Sequence, residues 1–391
     1  MTRILRTFAY GYLAVVLALY LASLGFDTLQ VGIVVSAAIL GSAVMTVLWA
    51  LAADRFGRRR TVATMAALMI AGGLLFAFGS GFGVLLLGAF TGTISATSSE
   101  VGAFLTVEQA ILPQTAPPER RTWLFSIYAF VANIAQAAGS LFAGAVAAFA
   151  ALGLTGPDVY RPLFVLYAVI GLLNLVIFLS LSDRVEAARV DGPRRFFGVH
   201  RSTGTVARLS ALFAVDAFAG GLVVQSLVAY WFHVRWGLDN GQLGVLFFFV
   251  NVLSGLSLLA AGWLGGRIGL INTMVFTHLP SNLLLVLVPL MPTATLAAAV
   301  FLMRMSISQM DVPTRQSYTM AVVDPDERTA AAGLTNVARN TASAISPTVT
   351  GWAFATAALG LPFFIAGALK VGYDLLIFFS FRRLRPPEEM R

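Results

Sequence analysis

Apolar runs of about 20 residues follow one another from end to end of this 391-residue chain, separated by short polar segments. That length suits a helix crossing the roughly 30 Å hydrocarbon core of a bilayer. Twelve transmembrane helices are expected, at 8–26, 31–53, 61–79, 83–112, 122–150, 161–182, 207–232, 240–264, 271–291, 294–322, 329–357 and 359–381. The first run has no signal-peptide cleavage pattern and leads straight into the second, so it is expected to be retained. The longest interruption, Asp183 to Val206, is charged and carries Gly192, Pro193 and Gly198, which suits a solvated tether. The expected architecture is all-α and integral to a membrane. Residues 1–182 form one six-helix bundle, 183–206 a linker, and 207–391 a second bundle with a short tail.

The two halves repeat one another. Laid without a gap, Glu108 to Gly144 matches Arg315 to Gly351: Gln109 falls on Gln316, Pro118 on Pro325, Arg121 on Arg328, Asn133 on Asn340. A chain that repeats itself at a little over half its length is expected to be two copies of one unit about a shared axis, with function on that axis.

Composition agrees with the pattern. Hydrophobic residues make up 58% of the chain and charged residues 11%, against roughly a quarter charged in a soluble domain. Mean hydropathy is +0.83. A net charge of +8 would suggest nucleic acid in a soluble protein. Here the arginines gather on alternate loops: Arg3, Arg6, Arg55, Arg58 to Arg60, Arg120, Arg121, the central linker, Arg267, Arg328 and the tail, against Arg161 and Arg235 on the other side. That asymmetry places both termini in the cytoplasm and removes the nucleic-acid reading. Cysteine is absent, and no spacing of His, Asp or Glu resembles a metal cage. Neither a nucleophile set nor a phosphate loop is present, so no enzyme activity, metal or cofactor is expected.

The loop after the second run reads Ala50-Leu-Ala-Ala-Asp54-Arg55-Phe-Gly57-Arg58-Arg59-Arg60, and residues 262–269 keep Arg267 and Gly269 at the matching place, with Gly266 for the Asp. This resembles the major facilitator superfamily, whose loop signature is Gly-x-x-x-Asp-Arg-x-Gly-Arg-Arg/Lys. The resemblance implies an alternating-access transporter whose first, fourth, seventh and tenth spans line a cavity near mid-membrane. By that analogy Asp54, Arg55, Gly57 and Arg58 belong to a cytoplasmic gate; the other reading is that the arginines anchor the loop to anionic headgroups. The fifth span, Gly139-Ser140 to Gly144, and the eleventh, Ser346-Pro347 to Gly351, resemble a degraded form of the family's exporter signature, and equally suit close helix packing.

Ionisable residues inside spans cost about 2.5–3.5 kcal/mol each on insertion scales and call for a partner or a function. Glu100 and Glu108 share a face of the fourth span; Arg304, Asp311 and Arg315 share one of the tenth; Asp216 lies in the seventh. Glu100, Asp216 and Asp311 are the expected proton carriers. Arg304, Arg339, Asn133 and Asn340 are expected to contact substrate. Glu108 and Arg315 are equivalent in the repeat and opposite in charge, so with Arg121 and Arg328 they suit a cytoplasmic latch; the alternative is an i, i+4 pair of Asp311 with Arg315, leaving Glu108 to Arg121 or solvent. Lys370 and Asp374, also four apart, are expected to neutralise each other, and His278 to be a structural hydrogen-bonding group.

These readings lead to a monomeric, proton-coupled exporter of a small organic or amphiphilic compound in the inner or plasma membrane, with the lipid bilayer its other partner. An uptake symporter of an organic anion fits the same residues, with Arg304 or Arg339 gripping a carboxylate. A non-transporting membrane sensor needs no buried charges and fits less well.

Overall fold

The computed structural model describes residues 1–98, 104, 105, 108, 121–181, 200–324 and 327–381, without the side chains of 50–55, 121–126, 262 and 329. Among these the chain is helical, with no strand. The helices are α1 (Thr2–Ser23), α2 (Thr28–Phe56), α3 (Arg58–Phe78), α4 (Phe82–Phe90), α5 (Arg121–Phe142), α6 (Ala145–Ala151), α7 (Arg161–Leu179) and α8 (Thr203–Leu222). They continue as α9 (Gln225–Trp236), α10 (Asn240–Ile268), α11 (Leu270–Leu287), α12 (Ala294–Met305), α13 (Asp311–Ala321), α14 (Arg328–Ala355) and α15 (Leu361–Phe381). Nine segments among the described residues are long and apolar enough to cross a membrane.

Each expected span has helix in it, but four are interrupted. The fourth leaves helix after Phe90, the fifth turns at Ala143–Gly144, the seventh at Val223–Val224 and the tenth at 306–310. The tenth has a local cause. Pro313 has no N–H for the carbonyl of Gln309 and its ring crowds that turn, so helix resumes only where Pro313 falls in the first turn of α13.

The repeat shows in local structure. Asp27 accepts the Gln30 N–H at 2.8 Å while the Gln30 side chain accepts from the Asp27 N–H at 3.1 Å, a capping box that starts α2. Asp239 and Gln242 make the same two bonds, at 2.8 and 3.0 Å, at the start of α10. Both helices then run 29 residues and end on a glycine, Gly57 at φ 90° and Gly269 at φ 86°. At those angles a side chain would strain the backbone, which is why the loop signature keeps glycine in both copies.

The chain packs as two compact units, one of Met1–Gly192 with Val224–Asn251, the other of Pro193–Val223 with Val252–Arg391. In the first, α1 is the core: Tyr10 and Tyr12 to Ala18 are inaccessible to solvent. It meets α5 backbone to backbone, since a Cβ on Gly11 would stand 2.1 Å from the Gln136 carbonyl and one on Gly139 1.9 Å from that of Phe8. The small residues of the fifth span therefore serve close packing. A polar chain seals the crossing: Gln136 donates to Asn251 at 2.8 Å, Asn251 to Ser140 at 2.9 Å, and Ser140 to the Gly11 carbonyl at 3.2 Å. In the second unit Leu209, Phe213, Met274, Val275, Tyr318, Tyr373 and Ile377 form a buried cluster. Large apolar side chains such as Leu172, Val176, Leu259, Phe276 and Phe379 are exposed outside, as a lipid-facing surface requires.

Candidate functional site

Four elements of the second unit converge on one carboxylate. Asp216 on α8 is 3% exposed. Its Oδ2 accepts from Arg315 of α13 at 3.2 Å and from Arg339 of α14 at 3.1 Å, and its Oδ1 from Lys370 of α15 at 2.5 Å. Arg315 also donates to Asp311 at 2.8 Å, the i, i+4 pair. The α8–α14 crossing that brings Arg339 within reach is tight, with a Cβ on Gly221 standing 2.7 Å from the Ser343 carbonyl.

Behind Asp216 lies a second buried group. His278 of α11 places Nδ1 2.8 Å from Asp374 Oδ1 and Nε2 4.0 Å from Asp216 Oδ1. Asn282, one turn along, donates to the other Asp374 oxygen at 2.8 Å. Lys370 and Asp374 thus do not neutralise each other as their spacing suggests; each turns to a different helix. The i, i+4 rule identifies neighbours on one helix surface, and here the interhelical partners are closer.

In front of Asp216 is a cavity of about 280 Å³ lined by Arg315, Gln316, Thr319, Thr335, Asn336 and Arg339, with Phe213, Met320 and Ala332 completing the wall. A neighbouring opening of about 340 Å³ shares Gln316 and Met320 and reaches Arg328. The Arg339 side chain is 24% exposed. Arg315 and Arg339 face Asp216 and Asp311 on the cavity side, and Lys370 meets Asp216 from behind. Buried charges are tolerated only when paired, and of this group the partly exposed Arg339 guanidinium is the one that cavity water reaches most readily.

Arg304, expected on one face with Asp311 and Arg315, is separated from them in the chain by the break at 306–310. It is 8% exposed, donates to Met305 Sδ at 3.0 Å and lies 5.9 Å from the Phe301 ring centre. Asn133, in the first unit, is half-buried, and Asn340, in the second, is exposed. Glu100 lies outside the described residues, as do the side chains of Asp54, Arg55 and Arg121. Gly57 makes the turn before α3, Arg58 opens that helix half-buried, and Arg328 is exposed at the start of α14.

In the first unit the carboxylate of Glu108 is held by Arg6 in two bonds of 2.9 Å, by Tyr128 at 2.5 Å and by Thr2 at 2.9 Å. Arg6 is inaccessible to solvent and lies 4.3 Å from the centre of the Phe104 ring. Sequence reasoning counted Arg6 among the loop charges. The available signal was its place at the start of an otherwise apolar helix.

Set beside known proteins, residues 1–347 match the family model described as Major Facilitator Superfamily. The chain is 25% identical over 409 residues to the uncharacterized membrane protein YJR124C of Saccharomyces cerevisiae, covering 95% of this chain and 91% of the relative. Among solved structures it resembles the nucleoside transporter NupG, at 12% identity and TM-score 0.77 over 97% of this chain and 97% of that one. A bacterial homolog of the human lysosomal transporter Spinster, inward-facing and occupied, has 17% identity and TM-score 0.73 over 98% and 96%. The xylose transporter XylE from E. coli, in a partially occluded inward-open form, has 15% and 0.69 over 99% and 97%. At these identities the likeness to the solved structures is one of fold.

Proposed function

The chain belongs to the major facilitator superfamily, and from that premise we propose that it carries a small organic anion together with a proton by alternating access. One observation supports this most directly: Arg315 and Arg339 share the Asp216 carboxylate and both line the cavity. A substrate carboxylate arriving there competes with Asp216 for the two guanidinium groups, in the bidentate geometry that arginine favours. As the arginines turn to the substrate, a proton on Asp216 compensates the added negative charge. One monoanion and one proton bound together leave the buried net charge unchanged, which makes each favour the other.

Gln316, Thr319, Thr335 and Asn336 suit the hydroxyl or amide groups of a polar solute, and Phe213 with Met320 suits a short carbon skeleton. This favours the anion over the amphiphile. The protein acts as a single chain in the plasma membrane with both termini cytoplasmic, and an ion gradient supplies the energy.

The test is thermal unfolding of purified protein with short mono- and dicarboxylates, a sugar and a nucleoside, at about pH 5.5 and about pH 7.5. A ligand at a hundred times its Kd stabilises by about 2.7 kcal/mol. A carboxylate is expected to raise Tm more at the lower pH, and Arg339→Gln to remove the effect. Stronger stabilisation at the higher pH indicates proton antiport instead. Stabilisation by the sugar or nucleoside that survives Arg339→Gln sinks the anion reading.

A further inference from the structure

We propose that His278 is the group that stores the transported proton, exchanging it with Asp216; the inference rests on the proton-coupled reading above. Asp216 separates two environments. Its Oδ2 faces Arg315 and Arg339 on the cavity side, and its Oδ1 faces Lys370 and His278 on the buried side. A proton received from cavity water therefore has somewhere further to go.

His278 is built for that exchange. Its side chain is 4% exposed and its ring stands edge-on to Tyr373, 6.1 Å between centres. Nδ1 lies 2.8 Å from Asp374 Oδ1 and 3.2 Å from the Asn282 amide nitrogen; with the Nδ1 proton assigned to the carboxylate, the Nε2 lone pair is left toward Asp216. Asn282 holds the second Asp374 oxygen, so the carboxylate cannot rotate away. At 4.0 Å the Nε2 to Oδ1 gap is about 1 Å beyond the reach of direct proton transfer, so the transfer runs through one bridging water or a closer approach of the two groups.

The charges around the ring argue against a purely structural histidine. Asp374 is 1% exposed and bonds only His278 and Asn282 among the described residues. Lys370, which could have neutralised it, is committed to Asp216. Burial favours the neutral form of a carboxyl group, and an imidazolium beside Asp374 supplies the counter-charge that its ionised form needs. The other charged groups act on Asp216 and its neighbour Asp311: Arg315 from α13, Arg339 from α14 and, without a hydrogen bond to either carboxylate, Arg304 from α12. In the transfer, the proton leaves Asp216 Oδ1 for His278 Nε2, giving an imidazolium between two carboxylates. Release runs the same step backwards, and nothing else is consumed.

The chain has three histidines, so nuclear magnetic resonance of imidazole-labelled protein resolves them, with His200→Gln and His233→Gln removing the other two signals in turn. His278 is expected to change protonation between about pH 5 and about pH 8, and Asp374→Asn to displace the midpoint by about one pH unit or more. A ring that stays in one protonation state across that range, or a midpoint unmoved by Asp374→Asn, overturns the proposal. As a second readout, His278→Gln should keep carboxylate-induced stabilisation while removing its pH dependence; retained pH dependence overturns the proposal. If no carboxylate stabilises the protein, the anion reading falls, while the imidazole titration still decides His278.

Discussion

Asp216 gives its two oxygens different company, two arginines on Oδ2 and Lys370 on Oδ1, and on the proposed function this division separates substrate chemistry from proton chemistry. Asp216→Asn keeps the shape and removes the charge, leaving Arg315, Arg339 and Lys370 facing one another. Breaking one side of a buried ionic group costs about 3–5 kcal/mol, and the partial exposure of Arg339 puts this case at about 3 kcal/mol or less. Thermal unfolding should show that loss, and adding Lys370→Met should restore part of it; no recovery in the double variant contradicts the pairing. Asp216 itself was legible in the sequence, because a lone carboxylate in an apolar run demands an explanation. Lys370 and His278 were not. Spacing shows which residues share a helix face, and it carries nothing about which other helix meets that face.

At the scale of elements, helix ends and breaks position the charges. Pro313 interrupts the tenth span, so Arg304 and the Asp311–Arg315 pair lie on separate helices instead of one continuous face. The proline was in plain view, but an uninterrupted apolar run reads as an uninterrupted helix. A second device holds the start of α8. Glu327, just before α14 and inaccessible to solvent, accepts from the backbone N–H groups of Arg201, His200 and Ser202 at 2.7, 2.8 and 2.9 Å. Anions are favoured at a helix N-terminus, and these bonds, that from Arg201 foremost, draw the Glu327 pKa from its ordinary 4.5 to about 2. A lowered carboxylate pKa stabilises the fold above the unfolded value. This contribution is complete above about pH 4.5 and is lost as pH falls toward about 2. Glu327→Gln should therefore lower Tm at about pH 6, with the gap to the unaltered protein narrowing at about pH 3; a gap that stays constant over that range contradicts the role.

For the whole molecule, duplication is visible in local detail: the same capping box, the same 29-residue helix and the same left-handed glycine occur in each half. The arginine asymmetry adds an orientation that can be measured. A fluorescent protein fused to the C-terminus should fluoresce in the cytoplasm, and alkaline phosphatase at the same place should be inactive; an active phosphatase there reverses the topology. Membrane residence, the repeat and the family were all decided by sequence alone, because hydropathy is summed over about 20 neighbouring residues and duplication leaves matching residues in register. The tertiary structure alone decided that Glu108 pairs with Arg6, that Lys370 leaves Asp374 for Asp216, and that His278 sits between two carboxylates. A buried charge settles on whichever opposite charge the packing brings nearest, and that distance belongs to the crossing of helices, not to any one of them.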